Sequence, residues 1–399
     1  MRIPAFLIVV SSVLLPSISV AQDTRAEEIA AKQKDKAARL AAYQPTAFER
    51  IMSRLEEGFV SPPSGWYPAF GSIYPGGGLS LGAGYRHFDK RDTVWDVHGL
   101  YSIKAYKNLE VMTRSPWDLR GRFSYEAKGG WLDAPQVAFY GLGMDDGPGA
   151  RLGRTNFHLS QTYASFTGLL RPTWWTRLRG EVGYDGFDTK EGRGRHPSIE
   201  SLYNTVTAPA LGSSPSYIRT EGTAAIDWRT SPSYSAKGGY YGLTLANYAD
   251  TGDDFGFKRL DAEAIQHVPL LRGNWVISLR GRMQSILGDD DVVPYFLLPQ
   301  LGSGSTLRGY PTGFFRDRHS ILTSAEFRWI PNRLALDMAI FYDAGKVTRD
   351  RADLDFSNLE SSWGIGARFH TPTSTILRIE GARPKTGKWR LIVSTGAAF

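Results

Sequence analysis

The stretch Asn274-Trp275-Val276-Ile277-Ser278-Leu279-Arg280-Gly281-Arg282-Met283 places apolar side chains two residues apart. Trp275, Ile277, Leu279 and Met283 fall on one face of an extended chain, and Ser278, Arg280 and Arg282 on the other. The division recurs along the chain. Arg177, Arg179 and Glu181 oppose Leu178, Val182 and Tyr184; Asp337, Phe341 and Asp343 oppose Leu336, Met338, Ile340 and Tyr342; Arg378 and Glu380 oppose Leu377 and Ile379. A soluble sandwich would turn such a charged face to water, whereas an outer-membrane barrel turns the apolar face to lipid and encloses the charges. Alternation alone fits both.

Spacing separates them. About sixteen strand candidates follow Gly78, and their connections alternate in length. Short ones are Arg171-Pro172, Thr230 to Ser235, Leu271 to Gly273, Pro331-Asn332 and Thr371 to Thr373. Long ones are Gly141 to Arg154, Phe187 to Tyr217, Asp289 to His319 and Lys346 to Glu360. A barrel with short periplasmic turns and longer outer loops has this asymmetry. The chain end agrees: Trp389, Leu391, Val393, Ala397 and Phe399 share one face of the last strand, an aggregation hazard in water but a seam in lipid. The expected fold is therefore an all-β transmembrane antiparallel barrel.

Residues 1–21 read as a signal peptide: Arg2, an apolar run from Ala5 to Leu15, and a small-residue site at Ser19-Val20-Ala21. That run is too short to span a bilayer. Residues 22–77 read as a helical and linker segment on the periplasmic side. Thr46 and Glu49 form a capping box for a short amphipathic helix over Ala47 to Glu57, and Pro62, Pro63, Gly65, Pro68 and Pro75 follow. Residues 78–399 are the expected barrel. The 399-residue chain has no cysteine, so its stability rests on burial and hydrogen bonding. Its 47 basic and 40 acidic residues are interspersed, which gives no nucleic-acid surface.

Four features resemble the BamA/TamA-type outer-membrane assembly superfamily, the bacterial surface-antigen barrels. Leu307-Arg308-Gly309-Tyr310 is similar to that family's Arg-Gly-aromatic loop motif. Glu326 lies in the strand after it, Phe341-Tyr342-Asp343-Ala344-Gly345 resembles the family's Phe-x-Asp-x-Gly strand, and terminal Phe399 resembles its insertion signal. The resemblance implies a sixth outer loop folded into the lumen. Residue parity permits Arg308 to meet Glu326 and Asp343 and to lie against Phe341, with Gly309 turning the tip. If the first strand, glycine-rich at Gly78, Gly82 and Gly84, pairs weakly with the terminal strand bearing Trp389, Leu391 and Val393, the seam between them can open to a client strand; the alternative is that the glycines only relieve crowding at closure. The family's POTRA domains need about 60 residues each. Residues 22–77 lack strand patterning, so a POTRA-less member is expected.

Gly78-Leu79-Ser80-Leu81-Gly82 matches a nucleophile elbow, but that motif needs a strand-to-helix turn, and the flanks here read as strand. No histidine pair has metal-ligand spacing, and no cofactor or metal is expected. The acidic runs at Asp145-Asp146 and Asp289-Asp290-Asp291 are open to calcium or to bridging lipopolysaccharide, or are simply solvated. The expected function is non-enzymatic: aid to outer-membrane protein insertion or translocation, or to lipid homeostasis. Its expected partners are outer-membrane lipids, lipopolysaccharide, client barrels and the machinery that inserts the chain itself. A passive anion-preferring pore and a barrel enzyme are the alternatives.

Overall fold

A computed structural model describes residues 64–144, 153–271, 274–288, 292–331, 335–371 and 374–399. The expected signal peptide, the helix over Ala47 to Glu57 and both acidic runs lie outside them. In chain order the strands are β1 (Gly65–Gly71), β2 (Ser80–Phe88), β3 (Val94–Ser102), β4 (Lys107–Arg114), β5 (Phe123–Phe139) and β6 (Thr155–Leu170). Next come β7 (Thr176–Glu191), β8 (Ser216–Asp227), β9 (Gly238–Asp250), β10 (Phe257–Leu270) and β11 (Trp275–Leu287). A small hairpin, β12 (Gln300–Leu301) with β13 (Phe315–Arg316), interrupts the series. The wall resumes with β14 (His319–Trp329), β15 (Leu336–Thr348), β16 (Glu360–His370), β17 (Thr375–Pro384) and β18 (Arg390–Ser394).

Among the described residues all but β12 and β13 join one sixteen-stranded sheet, each strand antiparallel to its sequence neighbour. This is the meander that short turns dictate, since antiparallel strands need no crossover. One rim carries the turns 171–175, 228–237, 271–274, 330–335 and 371–374. The opposite rim carries long connections, among them loop 3 (140–154), loop 4 (192–215) and loop 6 (288–318).

The two faces differ as the alternation requires. Along β15, Met338, Ile340 and Tyr342 are 51%, 59% and 51% exposed, whereas Asp337 and Asp343 are fully buried and Phe341 nearly so. Each large apolar side chain left in water forfeits roughly 1.5–3 kcal/mol, so a whole face of them is stable only against an apolar surrounding. The charged face is enclosed because loops pack onto it. Tyr295 of loop 6 sits 5.3 Å from Phe139 of β5 and 4.9 Å from Phe157 of β6, ring centre to ring centre. Phe296 lies 5.2 Å from Phe187 of β7, and Tyr203 of loop 4 is 4.9 Å from Phe139. Loops 4 and 6 thus build an aromatic core inside the long-loop end of the sheet.

The first strand lies earlier than the sequence reading put it. Gly65–Gly71, read as linker, is β1, paired with β2 from Gly65↔Arg86 to Gly71↔Ser80. Pro68 hid it: proline cannot donate to a ladder and argues against a strand, except at a sheet edge. β1 is that edge. Gly78 therefore lies in the β1–β2 loop, Gly82 and Gly84 lie on the second strand, and Ser80 begins β2 without any strand-to-helix turn.

Candidate functional site

Loop 6 runs from the long-loop rim back into the lumen, and its tip places Arg308 against three strands. Arg308 Nε and Nη2 donate to the two Asp343 carboxylate oxygens at 2.7 and 2.8 Å, and its backbone N–H donates to Oδ2 at 3.2 Å. Nη1 reaches Glu326 at 3.2 Å and Glu380 at 3.3 Å. The guanidinium carbon stands 3.5 Å above the centre of the Phe341 ring. Arg308 is thereby held by β14, β15 and β17 together, and it is 2% exposed.

The neighbours of Arg308 fix the approach. Leu307 is fully buried against Leu301, Phe315, Leu322 and Val347. The Tyr310 hydroxyl donates to Glu360 Oε2 at 2.6 Å, tying the tip to β16. Gly309 has φ +96°, and a Cβ there would lie 3.2 Å from both Ser362 Cβ and the Pro384 nitrogen, so handedness and space both require glycine. Gly345 serves a different closeness: a Cβ would come within 2.6 Å of the Ile321 carbonyl oxygen on the paired strand. Phe341 lies opposite Gly364, whose missing side chain leaves room for its ring.

Around this lock the carboxylates are shared. Arg368 grips both Glu326 oxygens, with Nη1 at 2.5 Å from Oε1, and reaches Glu380 at 3.2 Å. Arg378 donates to Glu380 at 3.1 Å and to the Gly304 carbonyl at 3.1 Å, while Arg280 donates to the Ser305 carbonyl at 2.7 Å. Toward the short-turn rim, Arg328 lies 3.9 Å from Glu326 and 3.9 Å from Asp337. The turn 228–237 folds in to meet them: Tyr234 donates to Asp337 at 2.9 Å and stacks on His370 at 4.0 Å. A buried ion network adds little net stability over an apolar core, but removing one member strands its partner without water. Such a network fixes geometry.

The second feature is the seam. β1 and β18 end the sheet and are not hydrogen-bonded to each other. Tyr67 of β1 covers Gly84 of β2 and donates to both Asp96 oxygens at 2.8 Å, which anchors the first strand on its paired side only. At the far edge Trp389, Leu391 and Val393 are exposed at 49%, 75% and 61%. Phe399 does not share their face, contrary to the parity of the sequence. Gly396 adopts φ +77°, the strand ends at Ser394, and the Phe399 ring turns inward to stand 5.7 Å from the Arg280 guanidinium and 6.4 Å from the His267 ring. A cleft of about 1050 Å³ opens here, from Phe70 and Val393 at the seam, past Gly302 to Thr306, to Arg259 and Arg282 on the far wall.

The structure thus gathers Leu307, Arg308, Gly309, Tyr310, Glu326, Phe341, Asp343 and Gly345 in one place. Gly82 and Gly84 lie on β2, Leu391 and Val393 on β18, and Trp389 immediately before β18. Residue parity put Arg378 and Glu380 on the inner face but did not signal that Glu380, Arg368 and Arg378 complete the lock. Nothing in the 228–237 turn marked Tyr234 as an inward anchor.

A model of the Omp85 superfamily domain matches residues 111–386. No curated protein matches. BamA from Haemophilus ducreyi, in a form lacking POTRA domains 1–3, has the same fold at TM-score 0.59 and 15% identity, over 84% of this chain and 69% of that one. CdiB from Escherichia coli matches at TM-score 0.53 and 13% identity, over 83% of this chain and 60% of that one. This chain therefore spans about three fifths of CdiB's length, and the likeness at these identities is one of fold.

Proposed function

The chain belongs to the Omp85 superfamily, and from that membership we propose that it works at the bacterial outer membrane without enzymatic chemistry, inserting client β-barrel proteins or moving lipids across the β1–β18 seam. The observation that supports this most is the pair of sheet edges left unbonded to each other beside a cleft into the lumen. An unpaired edge is a template for a strand from another chain. β1 suits that use, because Pro68 and its short length keep its own pairing weak. Lipid and lipopolysaccharide are the surroundings this exposed apolar face would meet.

Two observations weigh against a passive anion-preferring pore. Loops 4 and 6 fill the long-loop end of the lumen with packed aromatics. The lumen arginines 308, 368 and 378 are each paired with carboxylates, so they offer little free positive field to a passing anion.

Photo-crosslinkers placed at Phe70 and Leu391 in living cells test the reading. Adducts with nascent outer-membrane proteins or with membrane lipids are the expected result. Absence of both, together with a steady anion-selective conductance in planar bilayers, would overturn it.

A further inference from the structure

A second cavity lies at the long-loop rim, away from the Arg308 lock. It encloses about 140 Å³, room for about four or five waters or one tetrahedral oxyanion with part of its hydration. Four cationic side chains line it: Lys104 from the β3–β4 turn, Arg154 beside β6, Arg316 of β13 and Arg390 at the start of β18. Among the described residues no carboxylate lines it.

Arg316 forms the floor and is 2% exposed. Its Nη1 donates to the Tyr295 carbonyl at 3.0 Å and its Nη2 to Gln300 Oε1 at 2.7 Å, but its Nε has no partner. Arg328, Arg368 and Arg378 also leave Nε unbonded, yet each of them faces a carboxylate through its other nitrogens. Arg316 has none. A buried guanidinium without a counter-charge costs several kcal/mol, and an orphaned buried donor signals a missing acceptor. The Lys104 ammonium is pushed below its ordinary value by burial and by Arg154, the response of a cation crowded by another cation. Exposed Arg154 and Arg390 stand at the mouth.

We propose that this pocket binds a phosphate-class oxyanion, held by Arg316 from below and by Lys104, Arg154 and Arg390 from the sides and mouth. Planar guanidinium forks match the edges of a tetrahedral oxyanion, and a monoester phosphate carries enough charge to offset several of the cations. Binding has a mechanical consequence. Arg390 begins β18, while Tyr74 and Gly76 of the loop joining β1 to β2 line the same cavity. An anion here draws the two seam strands together at the long-loop end and leaves their other ends free. The clamp rests on the seam reading; the binding does not.

The full chain in detergent is titrated by calorimetry with inorganic phosphate, and separately with vesicles carrying a phosphomonoester lipid. Saturable binding of inorganic phosphate, about tenfold or more weaker in the Arg154→Gln/Arg390→Gln protein, is the expected result. Binding to the lipid vesicles alone, weakened by the same pair, also supports the site and makes a lipid headgroup the source. Arg316→Gln should abolish binding, and the rim pair, being exposed, keeps the test valid where that buried change prevents folding. Slower hydrogen exchange of β18 amides in the bound form would establish the clamp. Failure of both probes to bind, or equal affinity in the rim variant, overturns the proposal. Because purified protein is titrated, such a failure leaves the crosslinking test of the seam standing.

Discussion

Arg308 and Asp343 form a two-point pair in which Nε and Nη2 each hold one carboxylate oxygen, at 2.7 and 2.8 Å, and the Arg308 backbone N–H adds a third bond to the same group. Glu326 and Glu380 retain Arg368 and Arg378 when Arg308 is removed. Asp343 has no second arginine within ion-pair distance among the described residues.

Arg308→Ala should therefore act mainly through a stranded Asp343, at a cost of about 3–5 kcal/mol to the docked loop. Arg308→Lys should recover only part of it, since an ammonium cannot bridge both oxygens. Limited proteolysis within loop 6 and the thermal midpoint in detergent read both changes. A loop as protected as in the unaltered protein would show that the pair does not hold it.

Phe341→Leu should weaken the same lock without altering any charge. The lost contact between guanidinium and ring is worth about 2 kcal/mol where both are desolvated. A double-mutant cycle of Phe341→Leu with Arg308→Ala should give a coupling energy of that order; independent effects would place the stabilisation elsewhere.

Gly309→Ala meets two obstacles, a backbone at φ +96° and neighbours 3.2 Å from the new methyl carbon. A loss of about 1–3 kcal/mol is expected, with loop 6 cut faster by protease. An unchanged digestion pattern would mean that the tip relaxes freely.

Tyr67→Phe removes the bifurcated hydrogen bond from the single Tyr67 hydroxyl to Asp96, which is 2% exposed. Arg86 and His98 still contact that carboxylate, so the expected cost is only about 1–2 kcal/mol. Its sign lies in location: amides of Gly65–Gly71 should exchange faster while those of β5 to β7 do not. Uniform acceleration would show that β1 does not loosen on its own.

Much of this was legible in the chain because a two-residue repeat leaves no freedom in which face a side chain takes. The resemblance to the surface-antigen barrels implied a loop folded into the lumen, and the parity of Glu326, Phe341 and Asp343 permitted Arg308 to meet them there. Parity also placed Arg378 and Glu380 inward, but it says nothing about distance across a lumen, and their part in the lock stayed hidden. Phe399 went astray because its face was counted through Gly396, whose positive φ breaks the repeat. β1 was missed because Pro68 reads as a breaker everywhere except at an edge. The oxyanion pocket draws its cations from four separated segments, and no local pattern announces such a convergence.

The acceptors of Arg308 come from residues 326, 343 and 380, so the latch is incomplete until almost the whole polypeptide has been made. A molecule truncated before β17, or one whose β17 has not yet joined the sheet, cannot seat the tip fully. Loop 6 can therefore dock fully only on a finished wall, and a protease able to reach residues 302–314 would distinguish unfinished molecules from finished ones.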